Sequence, residues 1–454
     1  MTSFNKALAG LILAGLTQAA MGQTSSQLLF GDTHLHTSYS FDAYLNKNQT
    51  ADPDTAYRWA RGLPVIHPFN RARMQINTPL DFLVVSDHAE LMGVIRAINL
   101  GTADQEDLGW WGNLKTWFAV TMLNRAIEGG DGGSVFNSIL PKAPLNPGGD
   151  PVADGANEMP TDTFGDTLAT ETTAWHEIVD AAERHNKPGQ FTTFIGWEWS
   201  SIPTGANLHR IVFTPDAGDK AKQFVPFGSD QSQYPEDLWQ WLEDTRDRTG
   251  ARFVAMPHNA NISKGYMYAE TSLKGEPITA EYARRRMAWE PVSEVTQIKG
   301  DSETHPRLSP DDEFADFETY SHYIQQESQE YKPTKADYAR SALLTGLQLE
   351  QVYNVAWSGD RQLDGKGKLS PVGNTVELDS GHYDNSIGAE QLSTLWTDPD
   401  FDPSQRAFYY VRVLQIPTPR HSLYDAIALQ SDVPEEGPAT IQERAYTSPI
   451  WYTP

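Results

Sequence analysis

Leu28-Leu29-Phe30-Gly31-Asp32-Thr33-His34-Leu35-His36 is a short apolar run that empties into acidic and imidazole side chains. The pattern returns along the chain. Phe82-Leu83-Val84-Val85 leads into Ser86-Asp87-His88, and Phe191 to Ile195 leads into Gly196-Trp197-Glu198-Trp199. Phe253-Val254-Ala255-Met256 leads into Pro257-His258-Asn259, and Val292–Ile298 into Lys299-Gly300-Asp301-Ser302-Glu303-Thr304-His305. His209-Arg210-Ile211-Val212-Phe213 reads as another strand. Helix-like stretches at Thr55–Arg61, Thr173–Arg184 and Pro235–Thr249 lie between them. Strand, polar tip and helix in repetition predict an α/β fold of parallel βα units. In such folds the working residues gather at the C-terminal ends of the strands.

Composition narrows the function. The chain has 454 residues, 35 basic and 60 acidic, for a formal charge of −25, so it would repel a phosphate backbone over most of its surface. We expect no nucleic-acid partner. Without cysteine there are no disulfides, thiolate nucleophiles or thiolate metal ligands, and any metal has to be held by histidines and carboxylates. With 39% hydrophobic residues and 13 Trp, 18 Tyr and 18 Phe the chain can build a sizeable core.

Three regions depart from the repeat. Residues 1–22 read as a signal peptide, with an apolar run from Ala7 to Leu16 and a small-residue exit at Ala20-Met21-Gly22. The expected location is secreted or periplasmic, and no stretch is long and apolar enough to predict a membrane span. Residues 98–165, rich in Gly, Asp and Trp, read as an inserted cap or lid, with a helix over Leu114–Glu128. The α/β part is expected over residues 23–350. Residues 351–454 read as a β-rich C-terminal segment with little helix, with strands at Val352–Trp357 and Ala407–Gln415.

The chemistry rests on the strand ends. His34 and His36 share one face at period two, and Asp32 and Asp42 are close in sequence. Asp87-His88 adds an imidazole with a carboxylate to orient it. Glu198 is a carboxylate able to bridge two ions, and His209 and His258 complete the set. Neutral imidazoles with carboxylates suit Zn, Mn or Fe in the +2 state. Close ions of this kind lower the pKa of water and clamp the oxygens of an ester, while their charge offsets the repulsion an anionic substrate meets. Asn207, Asn259 and Asn261 stand near these residues, and two roles stay open for them: supporting the ligands or hydrogen-bonding substrate.

The set Asp32-Thr-His-Leu-His, Ser86-Asp-His, Gly196-Trp-Glu, His209 and Pro257-His-Asn resembles the polymerase-and-histidinol-phosphatase (PHP) superfamily of metal-dependent phosphoesterases. The closer wording, GDTHLHT, VSDHAE, GWEWS, NLHR, PHNANIS and EVTQIKGDSETH, looks like the domain of unknown function 3604, a PHP-like branch. The likeness runs from Gly31 to Leu347, with a further C-terminal segment like Val352–Asp425. It implies a distorted (β/α)7 barrel with two or three divalent ions at the strand C-termini. His34, His36 and Glu198 would hold a first ion, Glu198, His209 and His258 a second, and Asp42 with His88 would contribute to a third. Asp32 and Asp87 would stand behind the ligands. Lys299, Glu303 and His305 would line the substrate side, Lys299 or His305 assisting the leaving group.

One motif of the resemblance is missing. Similar proteins carry a late Asp-x-His that supplies the last ligand to the first and third ions. Here the expected helix Pro333–Leu347 runs directly into Gln351-Val-Tyr-Asn-Val-Ala-Trp, and Asp32-Thr-His34 is the only Asp-x-His in the chain. The reading is an internal deletion around Glu350 that leaves the barrel incomplete. Asp379-Ser-Gly-His382 reads as a surface turn. The function implied is a secreted hydrolase of small anionic esters, foremost phosphate esters, with a metal-bound hydroxide as attacking group. Two other readings stand beside it. One is a non-catalytic or misfolding truncated relative, since lost strands expose edges. The other is a sulfate-ester or amide hydrolase. The oligomeric state is left open.

Overall fold

The computed structural model describes residues 27–103, 109–132, 149–153, 164–323, 326–347, 355–365, 367–431 and 437–454. The expected leader, the middle of the expected insert and the expected junction at Glu350 lie outside the described residues.

Five strands form the central sheet among the described residues: β1 (Gly31–Leu35), β2 (Phe82–Val85), β3 (Thr192–Trp199), β4 (Arg210–Thr214) and β5 (Val254–Pro257), in that spatial order. The sheet curls into a half-barrel. β1, β2 and β3 are parallel, but β4 pairs antiparallel with both β3 and β5. The uniformly parallel sheet expected from the repeat is therefore corrected to a mixed one. The physical reason is the short link between β3 and β4. It holds a turn at Pro203–Gly205 and no helix long enough to carry the chain back across the sheet for a parallel strand.

Helices cover the outer face. α1 (Phe41–Leu45) and α2 (Pro53–Ala60) follow β1, and α3 (Val94–Leu100) and α4 (Gly109–Glu128) follow β2. α5 (Leu168–His185) precedes β3, and α6 (Pro235–Thr249) precedes β5. Local signals set several boundaries. Asp52 caps α2 by accepting the Thr55 N–H, with Pro53 at the first helical position. α6 starts at Pro235 and stops at Gly250, whose φ of 71° suits glycine. α5 buries Ala174, Trp175, Ile178 and Val179 at one-turn spacing against the sheet.

The core is aromatic. Trp175, Trp197, Trp199 and Trp239 are fully buried, and the Trp197 and Trp199 indoles donate to the Phe227 and Ser232 carbonyls. The tryptophans of Gly-Trp-Glu-Trp are thus packing residues. Gly196 is needed there, because a Cβ would lie 2.6 Å from Val84 Cγ1 and 2.8 Å from the Val212 carbonyl oxygen.

Val292–Ile298 does not form the expected strand. α7 (Ala280–Trp289) is followed by a small hairpin, β6 (Thr296–Gln297) with β7 (Gly300–Asp301), and Val292 and Ile298 are exposed. Gly300 at φ 112° makes this bend possible, with Asn261 and the Glu318 carbonyl too close for any Cβ.

The helix expected over Pro333–Leu347 is a short 3-10 turn at Lys335–Asp337 followed by α8 (Ala339–Leu347). The C-terminal segment is one long antiparallel excursion. β8 (Ala407–Tyr409), β9 (Arg412–Leu414) and β10 (Thr418–Pro419) pair in reverse order with β11 (Thr440–Ile441), β12 (Arg444–Tyr446) and β13 (Ile450–Tyr452). Its tip holds α9 (His421–Leu429), a helix the sequence reading did not assign. Residues 355–357, the described end of Val352–Trp357, are not strand. Asp379–His382 is an exposed turn closed by Glu377 N–H to the His382 carbonyl.

Candidate metal centre

β1, β2, β3 and β5 end at the same edge of the half-barrel, and β4, running the other way, begins there. Each candidate ligand except Asp42, which lies in α1, is placed within three residues of that edge. His34 lies in β1 and His36 one residue past it. His88 follows β2, Glu198 is the last residue but one of β3, His209 immediately precedes β4, and His258 immediately follows β5. Backbone bonds extend the ladders to fix these tips. Ser86 N–H donates to the Leu35 carbonyl at 2.9 Å, Glu198 N–H to the Asp87 carbonyl at 3.0 Å, and Ala89 N–H to the Glu198 carbonyl at 2.8 Å.

Among the described residues three groups of side chains can hold a metal ion: His34, His36 and Glu198; His36, Asp42 and His88; and Glu198, His209 and His258. Within each group the ligand atoms lie within 4.8 Å of one another. Glu198 joins two groups and His36 joins two, so the three form one chain of sites. Glu198 Oε2 is 2.9 Å from His36 Nε2 and 3.5 Å from His34 Nε2, while Oε1 is 2.6 Å from His209 Nδ1 and 3.0 Å from His258 Nε2. Asp42 Oδ2 is 3.4 Å from His88 Nε2.

The donor set fits divalent ions. His209 Nε2, His258 Nδ1, Asn207 Oδ1 and Asn259 Oδ1 are buried without a hydrogen-bond partner. Polar atoms buried this way are costly unless something else satisfies them. Electrostatics point the same way. Burial resists ionising Glu198, but His88, His258 and His209 together hold its carboxyl well below the usual range. Burial likewise opposes the charge on Asp42, and His88, His36 and Lys299 overcome it. Against burial, Glu198 and Glu294 push His34 up to about 10, and Glu198 and Asp42 push His88 up to about 9. Burial keeps His209 and His258 neutral, at about 3 and about 4. The carboxylates thus demand positive charge, and neutral imidazoles with free nitrogens stand beside them.

The supporting residues differ in part from the expectation. Asp87 does not orient His88. It accepts the Thr37 N–H at 2.5 Å and hydroxyl at 2.7 Å, pinning the turn after His36, and burial raises it to about 6. His88 Nδ1 instead meets the Ser200 hydroxyl, with Glu90 Oε2 at 3.8 Å. Glu90 in turn accepts the Ser200 and Ser229 N–H groups. His36 Nδ1 is 2.8 Å from Ser40 Oγ. Asp32 accepts the His34 N–H at 2.8 Å and so holds that residue by its backbone. Asn207 N–H donates to the Ile262 carbonyl, and Asn259 takes a left-handed conformation at φ 52°, with its Nδ2 3.4 Å from Asn261 Oδ1.

Sequence reasoning missed Glu294, whose Oε2 is 3.2 Å from His34 Nδ1. Nothing local marks it. It lies in an irregular segment, and its partner is 260 residues away.

The proposed substrate-side trio is divided. Lys299 lies near enough to Asp42 for its charge to act there. Glu303 is taken up in a buried network with Arg340, Arg412 and Tyr410, which also ties Asp312 to both arginines at 2.7 and 2.6 Å. A carboxylate met by two guanidiniums has the surroundings of a structural anchor. His305 accepts the Arg307 N–H at Nδ1, its ring 5.7 Å from Tyr338, and burial and Arg307 lower its pKa. Among the described residues, its polar contacts are not with the candidate ligand groups. No membrane-spanning helix occurs among the described residues.

No curated protein and no solved structure matches the chain. A family model described as Protein of unknown function (DUF3604) matches residues 23–351 and 348–454, and the chain, covered by it almost throughout, belongs to that family.

Proposed function

We propose that this protein is a metal-dependent hydrolase of small anionic esters, foremost phosphate esters, of PHP-like type. The observation that carries the reading is the buried run of three ligand groups threaded through His36 and Glu198. His34, His36 and Glu198 would hold one ion, Glu198, His209 and His258 another, and His36, Asp42 and His88 a third. Divalent ions bound there supply Lewis acidity and lower the pKa of water towards neutrality. The chain's own residues do the rest. Glu198 sets the spacing between groups, Asp87 fixes the turn that carries His36, and Lys299 adds positive charge beside Asp42 for an anionic ester. We also propose export. Residues 1–22 have leader character, and the family match begins at residue 23.

A second reading has an observation in its favour. The family match falls in two pieces that overlap at 348–351, the place where we infer that a late Asp-x-His segment has been lost, and among the described residues no sixth strand extends the half-barrel. A chain so shortened would bind metal without turnover. Elemental analysis of purified protein, with a panel of phosphate esters, sulfate esters and amides, separates the readings. Two or more ions per chain with phosphoester turnover is the expected result. Metal without turnover favours the binding reading, turnover confined to sulfate esters or amides changes the substrate class, and less than one ion removes the enzyme reading.

A further inference from the structure

We propose that Glu294 is a positioning residue for His34: its carboxylate accepts the Nδ1–H and turns Nε2 towards Glu198 and the ion bound there. The inference rests on the metal-binding reading above and adds to it a residue outside every ligand group. His34 is held from two sides, Nδ1 at 3.2 Å from Glu294 Oε2 and Nε2 at 3.5 Å from Glu198 Oε2. An imidazole bound to metal through one nitrogen must carry its proton on the other, and an acceptor there selects that tautomer and fixes the ring.

Glu294 is itself fixed for the task. Its N–H donates to the Pro257 carbonyl at 2.9 Å, tying it to the residue before His258. The His34 and His258 rings lie 4.2 Å apart, so the carboxylate stands against the junction of two ligand groups. The Gln297 side chain hydrogen-bonds the same carboxylate, and its amide nitrogen is 3.5 Å from His34 Nδ1. The shorter contact decides the polarity, with Nδ1 as donor to the carboxylate and Gln297 as its second donor. Glu294 Oε1 is buried without a hydrogen-bond partner among the described residues.

The test uses Zn2+ alone as probe, titrated against a chromogenic chelator into the wild type, Glu294→Leu and Glu294→Gln. Replacing an orienting partner of this kind costs about 10- to 100-fold in metal affinity. Glu294→Leu is expected to show that loss, and Glu294→Gln a smaller one because its amide oxygen still accepts. A second readout is the downfield Nδ1–H resonance of His34 in the Zn-loaded protein, assigned by its disappearance in His34→Gln. It should vanish in Glu294→Leu and persist in Glu294→Gln. If the wild type binds Zn2+ and both variants bind it equally well, the positioning role falls and the metal reading stands. If the wild type binds none, both fall.

Discussion

Glu198 Oε1 lies 2.6 Å from His209 Nδ1 although the strands carrying them run in opposite directions. Trp199 pairs with Arg210 across that ladder, so Glu198, one residue before the end of β3, and His209, one residue before the start of β4, meet at the same rim. A reversed strand therefore delivers its ligand from its N-terminus to a site the other strands reach from their C-termini. The shared carboxylate is the hinge of the whole constellation.

Glu198→Gln should uncouple two ligand groups at once. Saturating metal at about 100 times Kd stabilises a protein by about 2.7 kcal/mol, which for a chain of this size is several degrees in Tm. We expect the wild type to show that rise with Zn2+ or Mn2+ and lose it with EDTA. Glu198→Gln should show a smaller rise, because the group His36, Asp42 and His88 does not use Glu198, and should bind at least one ion fewer by elemental analysis.

The position of His209 depends on a buried pair next to it. Arg210 Nε is 2.9 Å from Glu290 Oε1, both side chains are almost fully buried, and Trp239 donates to the same oxygen. Removing one partner strands a charge at a cost of about 3–5 kcal/mol, whereas replacing both with apolar residues is far milder. Chemical denaturation should therefore rank Glu290→Leu well below the double variant Arg210→Met/Glu290→Leu. Equal losses would show that the pair itself carries little.

Glu303 should behave as an anchor. Its carboxylate meets Arg340, Arg412 and Tyr410, binding the C-terminal excursion to the loop after β7. Glu303→Gln is expected to cost about 3 kcal/mol of stability by leaving the two guanidiniums with Asp312 as their one carboxylate in this network. Metal stoichiometry should stay at the wild-type value. A variant of normal stability that loses turnover would favour the catalytic assignment.

Glu171 offers a pH signature away from the ligands. Burial, with Asp230 and Glu90 nearby, raises its carboxyl to about 7 although the Thr167 hydroxyl donates to it. A raised acid favours the folded state only while protonated. Its contribution is present below the unfolded value near 4.5 and is lost as pH rises through about 7. Glu171→Gln should thus gain about 1 kcal/mol at pH about 8, allowing for its partial exposure, and nothing at pH about 4. Melting curves at the two pH values check this, and a gain of the same size at both would rule out the titration.

Much of the site was legible before any coordinates. Phe82–Val85 and Pro235–Thr249 form a strand and a helix with the expected bounds, because a short apolar run and a proline-to-glycine helix frame act over a few residues. His34, His36, His88, Glu198 and His258 are readable because each stands in or just after an apolar run near its polar end, and His209 because it stands where one begins. The residues that mislead or escape do so for a common reason. Glu303 lies in a motif that reads as chemistry, yet Arg412, 109 residues on, claims its charge. Glu294 has no motif at all, and Asp87 stands beside His88 in sequence but bonds to Thr37.

The sequence by itself determined the candidate ligand types, the strand ends that carry them, and the exclusion of thiolate chemistry, since these follow from local hydrophobic patterning and composition. Only the tertiary structure decided that β4 is reversed, that Glu198 bridges two groups, that Glu303 is met by two guanidiniums and that Glu294 faces His34. Strand direction and ion pairing are settled by which charges and hydrogen-bonding groups the fold buries together, and residues hundreds of positions apart leave no local trace of that choice.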